Sequence, residues 1–162
     1  MLTKKRFGKA AAIALALAAA FLITTLCFGR HYLTLRDQSG ALYARYPMEE
    51  GGTFAVTFIH SVNLYPLTDY YEIHDKTIYV EATKYEAFGA GVQTELNPGE
   101  VLTYTDDGAM LITGIHQDRT GVGYLVGTVS DHVLTVGGRE ISLRDLCGRN
   151  AKVIFNYEFM LF

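Results

Sequence analysis

The chain has 162 residues, with 14 Lys+Arg, 17 Asp+Glu and two cysteines. Lys4, Lys5, Arg6 and Lys9 precede position 30 and no acidic residue does, so residues 30–162 hold ten basic against seventeen acidic groups, a net of −7. That balance excludes nucleic acid as a partner, because such affinity rests on counterion release by Lys and Arg. A single cysteine outside the first thirty positions also leaves no internal disulfide and no zinc knuckle.

Residues 10–28, AAAIALALAAAFLITTLCF, are nineteen uncharged positions behind the four basic ones. As a helix rising about 1.5 Å per residue they span roughly 28 Å, close to the hydrocarbon thickness of a bilayer. Three readings stand: an uncleaved anchor, a cleaved signal with Cys27-Phe28-Gly29 as its small-x-small site, or lipoprotein processing at Cys27. All three leave the basic end in the cytoplasm and export the rest by the positive-inside rule. The expected organisation is a signal or membrane anchor over 1–29 and an extracytoplasmic β domain over 30–162. Residues 10–28 are the expected membrane contact, placing the protein in the cell membrane as a single-pass chain.

Beyond the leader the pattern alternates and turns repeatedly. Tyr32–Arg36, the turn Asp37–Gly40 and Ala41–Tyr46 read as a hairpin. Thr53–His60 puts Phe54, Val56, Phe58 and His60 on one face at period two. Thr77–Thr83, Val101–Thr105, Ala109–Ile115 and Gly121–Val129 continue the alternation. His132–Val136, Gly137-Gly138 and Arg139–Leu143 form a hairpin signal, since Gly-Gly suits a primed two-residue turn. Ser142–Arg149 has room for one helical turn, and Lys152–Leu161 closes the chain as a long apolar strand. Asn97-Pro98-Gly99 and Asp106-Asp107-Gly108 supply further turn chemistry. These features predict an all-β domain, a sandwich or small barrel of about 8–10 short strands, preceded by one N-terminal transmembrane or signal helix.

Catalytic signatures are missing. No Gly-x-Ser-x-Gly elbow occurs, and adjacent His60 and Ser61 point to opposite faces of a strand. Gly121-Val122-Gly123 leads into a strand, not into the helix N-terminus a dinucleotide site uses. No enzyme and no cofactor are expected, and Cys147 reads as a small, partly buried hydrophobe. His60, Asp69, Glu72 and His74 fall within fifteen residues, and His116, Asp118, Asp131 and His132 follow later. Surface or hydrogen-bonded polar roles account for these donors, and no metal site is expected.

His60 continues the apolar face of Phe54, Val56 and Phe58, so alternation predicts it at least half buried. A buried imidazole needs a partner for each ring nitrogen. Asp69 or Glu72, across a return strand, would provide one. His60, Ser61, Asp69 and Glu72 are therefore the candidate site, either a binding set or a polar clasp holding two strands in register. Phe88-Gly89-Ala90-Gly91 is a candidate backbone loop, either a tight bend or a set of N–H groups offered to an anion or partner.

Three segments in order carry a resemblance: Phe58-Ile59-His60-Ser61-Val62, Pro66-Leu67-Thr68-Asp69-Tyr70-Tyr71, and Tyr85 followed by Phe88-Gly89-Ala90-Gly91. On these the chain resembles the family of domain of unknown function 1850, most strongly over residues 50–92 and more loosely over 31–160. It departs from the family pattern at Asn63, where an acidic residue is common, at Asp69, where Glu is common, and at Val92-Gln93. The resemblance implies an exported or membrane-associated protein whose genes often lie beside TRAP transporters of the TAXI type. Those transporters take up small carboxylates and amino acids with an extracytoplasmic binding protein. It implies no reaction and no active site. The expected function is a membrane-anchored extracytoplasmic accessory that contacts a transporter membrane subunit or solute-binding protein. The alternative is a small-ligand- or metal-binding envelope domain using His60, Asp69 and Glu72.

Overall fold

The computed structural model describes residues 3–61, 64–86, 93 and 95–161. The chain divides into two compact units, Met1–His31 with Phe159–Phe162, and Tyr32–Glu158.

The first unit contains helix α1, Thr3–Phe28. Its Ile13, Leu15, Phe21 and Leu22 are exposed, so the helix is apolar on its surface instead of along one stripe. Gly8–Thr25, with a mean hydropathy of 1.8, is long and apolar enough to cross a membrane, a test that an anchor and a signal sequence both pass. The hydroxyls of Thr24 and Thr25 donate to the carbonyls of Ala20 and Phe21 at 2.8 and 2.9 Å. Their polar atoms are thus satisfied within the helix, as an apolar environment requires. Gly29 closes the helix by donating its N–H to the Thr25 carbonyl at 2.9 Å. A side chain at Gly29 has no room, because its Cβ would stand 2.0 Å from the Phe159 ring.

The second unit is built on two sheets. Strands β1 (Arg30–Arg36), β2 (Leu42–Pro47), β8 (Gly123–Leu125) and β11 (Lys152–Met160) form a four-stranded sheet in the order β2-β1-β11-β8. Strands β3 (Thr53–Ile59), β4 (Pro66–His74), β5 (Thr77–Tyr85), β6 (Val101–Tyr104), β7 (Met110–Asp118), β9 (His132–Val136) and β10 (Arg139–Ser142) form the larger sheet, ordered β10-β9-β3-β4-β5-β7-β6. Val56, Ile73, Val80 and Leu134 of the large sheet and Leu33, Leu35, Val153 and Phe155 of the small one belong to one buried cluster. A core shared between two inner faces is that of a sandwich. Phe54 ties the layers together, stacking on Tyr71 at 4.8 Å and on Phe155 at 5.7 Å between ring centroids. A second cluster of Leu67, Tyr85, Met110 and Ile112 continues along the large sheet.

Several elements differ from the sequence reading. Strand β4 is not announced by alternation, because Asp69 occupies an inward position between Leu67 and Tyr71. The expected strand Gly121–Val129 is reduced to Gly123–Leu125, and the turn within Ser142–Arg149 is helix α2, Leu143–Cys147. Ser142 caps α2, its Oγ accepting the Asp145 N–H at 3.0 Å. Gly137 and Gly138 make the expected primed turn with φ of +56° and +72°, and Asp75-Lys76 makes the β4–β5 turn at +48° and +61° without a glycine. Cys147 packs against the core, and burial pushes its thiol up to about 11, which keeps it protonated at neutral pH.

One irregularity shapes the site. Val80 pairs with Gln117 and Ala82 with Thr113, so Gly114, Ile115 and His116 stand opposite Glu81 alone. Gly114 and His116 take φ of +75° and +43° to make this bulge. Ile115 and Gln117 then line one recess, while His116 bonds Glu81 at 2.8 Å between Nδ1 and Oε1.

Candidate functional site

A cleft of about 410 Å³ opens between the inner face of the large sheet and the edge strand β8. Phe58, Leu67, Val80, Ile115 and Val122 form its apolar walls. Asp69, Tyr71, Thr83 and Tyr124 supply its polar floor, and His60, Gln117 and Arg119 also line it.

The strand period places the floor. Leu67, Asp69, Tyr71 and Ile73 alternate onto the inward face of β4, and Thr83 of β5 lies directly across from Asp69. Thr83 donates its hydroxyl to Asp69 Oδ1 at 2.5 Å, and Tyr124 donates to Asp69 Oδ2 at 2.9 Å. The Tyr71 and Tyr124 hydroxyls are 2.5 Å apart. A phenol has one proton, and that of Tyr124 is committed to the carboxylate, so Tyr71 must donate to Tyr124. The result is a directed chain, Tyr71 to Tyr124 to Asp69, running from the large sheet to the small one and back.

Burial pushes the Asp69 carboxyl above the usual carboxylate range, against the hydroxyls of Thr83 and Tyr124 and the field of Arg119, which pull it down. Burial first, and the Asp69 charge second, push both tyrosine phenols far up, so they remain donors at any physiological pH. Behind this floor, His132 stacks on Phe58 at 5.1 Å between ring centroids, and burial holds it below the usual histidine value. Its Nδ1 lies 3.4 Å from the Gly127 N–H, consistent with an acceptor nitrogen on a neutral ring.

The two opposite charges of the cleft are not joined in an ion pair. Among the described residues, Asp69 has only neutral hydroxyl donors and no ion pair, and the side chains of Gln117 and Arg119 have no hydrogen-bond partner. Arg119, just past the end of β7, is exposed at the rim. A partly buried carboxylate held by neutral donors alone is costly, and a guanidinium without a hydrogen-bond partner on the same recess can take an acceptor.

The four sequence candidates separate. His60 and Asp69 line the same cleft, and His60 is half-buried at the end of β3, where its N–H donates to the Tyr65 carbonyl at 2.9 Å. Ser61 is exposed and does not line the cleft. Glu72 does not meet His60: it pairs with Thr53 at the far end of β3, and being three residues from Asp69 it faces the opposite side of the sheet. There it borders a separate recess with Tyr70 and Glu81. The loop Phe88, Gly89, Ala90, Gly91 lies outside the described residues. Among the described residues no three His, Cys, Asp or Glu side chains converge to hold a metal ion. Sequence reasoning missed Thr83, Gln117, Arg119 and Tyr124. The available signal was Gln117 and Arg119, two polar residues two apart at the end of an apolar strand.

The fold and site together define an all-β sandwich domain with a polar cleft, on a chain that also carries an apolar N-terminal helix. The chain belongs to the domain of unknown function family DUF1850, whose family model matches residues 54–143, more than half its length. No curated protein and no solved structure matches it. The matched region includes every cleft residue named above, from Phe58 to Tyr124.

Proposed function

We propose that this protein is a membrane-tethered accessory of a TAXI-type TRAP solute transporter, and that its own task is to bind a small polar solute in the Asp69 cleft. The observation that carries the binding part is the pair of opposite charges, Asp69 and Arg119, that line one recess of about 410 Å³ and, among the described residues, enter no ion pair. That volume falls within the roughly 300–1,000 Å³ of small-molecule sites, and apolar walls with few convergent polar groups are their usual lining. Lys4, Lys5, Arg6 and Lys9, ahead of the apolar run 10–28, support an extracytoplasmic domain, where such a solute would arrive. The transporter part follows from the family resemblance. The reading assigns the cleft no chemistry beyond binding.

To test it, the tagged full chain is purified rapidly in detergent from its own membranes, denatured, and its released small molecules are identified by mass spectrometry. Wild type should yield a polar solute in near-stoichiometric amount, and Arg119→Gln at least tenfold less. Equal, background-level recovery from both proteins would refute the binding reading. Crosslinking the same membranes before capture should recover transporter membrane subunits or a solute-binding protein. Their absence would refute the accessory role.

A further inference from the structure

The charge arrangement specifies more than polarity. We infer that the solute is a small zwitterion with an apolar remainder, its ammonium group on Asp69 at the floor and its carboxylate on Arg119 at the rim. This rests on the reading of the cleft as a solute site.

Each charge rules out part of the alternatives. A simple anion seated on Arg119 would extend toward the Asp69 carboxylate, and a simple cation on Asp69 would meet the Arg119 guanidinium. Both protein groups line the recess, yet no ion pair joins them, which leaves a gap between opposite charges. A zwitterion fills such a gap with both contacts favourable. Thr83 and Tyr124 already hold one lone pair on each Asp69 oxygen, and an ionised carboxylate has further acceptor positions for an ammonium. Arginine at the rim suits the other end, since its planar fork matches a carboxylate in a bidentate pair. Gln117, two residues before Arg119 and without a side-chain hydrogen bond among the described residues, offers both donor and acceptor to the groups between.

The walls describe the remainder. Phe58, Leu67, Val80 and Ile115 are apolar and adjoin the charged groups, so the part of the solute beyond its two charges is hydrocarbon or aromatic. The simplest molecules of this description are α-amino acids with apolar side chains.

The test is isothermal titration of the full chain in detergent micelles with the common α-amino acids singly. Any that bind are compared with their deaminated acid and their decarboxylated amine, for example leucine against 4-methylpentanoate and 3-methylbutylamine. At least one amino acid should bind, with both singly charged analogues at least tenfold weaker. Asp69→Asn and Arg119→Gln should each weaken it at least tenfold, whereas Glu72→Gln, on the opposite face, should leave it unchanged. An analogue that binds as tightly as its amino acid overturns the zwitterion and leaves the solute site standing. No binding by any amino acid also overturns it, and recovery of another solute from the native protein would then preserve the broader reading. Silence in both experiments removes both.

Discussion

Replacing Tyr124 by Phe removes one oxygen atom and with it two hydrogen bonds, because that hydroxyl accepts from Tyr71 and donates to Asp69. The bond to an ionised carboxylate is worth about 1.5–3 kcal/mol and the neutral one between phenols about 0.5–1.5 kcal/mol. Tyr124→Phe should therefore destabilise the domain by roughly 2–4 kcal/mol, and Tyr71→Phe, which removes the neutral bond and a hydroxyl contact to Asp69, by roughly 1–2 kcal/mol. In the Tyr124→Phe background the Tyr71 hydroxyl has lost one acceptor and keeps the Asp69 carboxylate, so adding Tyr71→Phe should cost less than it does in the wild type. The two losses should consequently be coupled and their sum should exceed the double-mutant effect. Urea unfolding of the full chain in micelles, followed by far-ultraviolet circular dichroism, measures all three. At low pH the protonated Asp69 becomes a weaker acceptor, and the Tyr124→Phe penalty should shrink toward the neutral range. Strictly additive losses, or a Tyr124→Phe protein as stable as wild type, would refute the directed chain.

Other expectations follow from the same geometry. Asp69 has a folded pKa above its ordinary value, so the native state binds more protons than the unfolded one between the two values. Its contribution is most favourable below the ordinary carboxylate range and declines as pH rises through the folded pKa; Asp69→Asn should flatten that part of the stability–pH curve, read by urea midpoints across the acid range. Gly114→Ala places a Cβ 2.6 Å from the Gly99 carbonyl oxygen at φ +75°, and should cost more than about 1 kcal/mol, with weakened solute binding because the bulge directs Ile115 and Gln117. Ser142→Ala removes the cap on α2 and should cost about 1 kcal/mol in the same denaturation assay, with no effect on binding.

The parts of the fold that were legible are those where one rule acts alone. The face of Phe54, Val56 and Phe58 follows from period two, and the β9–β10 turn follows from two glycines that take positive φ without strain. Strand β4 was obscured because Asp69 breaks its apolar face at the centre, where it lines the cleft. The Asp75-Lys76 turn was obscured because a lysine at φ +61° gives no local signal. His60 and Asp69 were paired in the sequence because a polar residue on an apolar face demands a partner, and the fold places both on one cleft. Tyr124 and Gln117 were not legible, since Tyr124 comes from the other sheet and Gln117 follows a bulge, and sheet pairing and bulges are set by tertiary packing. Glu72 was misplaced by proximity in sequence, which across a strand separates odd from even positions.

Occupancy of the cleft by a solute is read most directly by fluorine NMR of the full chain labelled with 3-fluorotyrosine. The eleven tyrosines are reduced to the two of interest by assigning Tyr71 and Tyr124 through their phenylalanine variants. Titration with the solute recovered from the native protein should move both signals together and saturably, leave the outward-facing Tyr104 still, and fail in Arg119→Gln. Signals from Tyr71 and Tyr124 that stay fixed at saturating solute would contradict the assignment of the Asp69 cleft as the binding site.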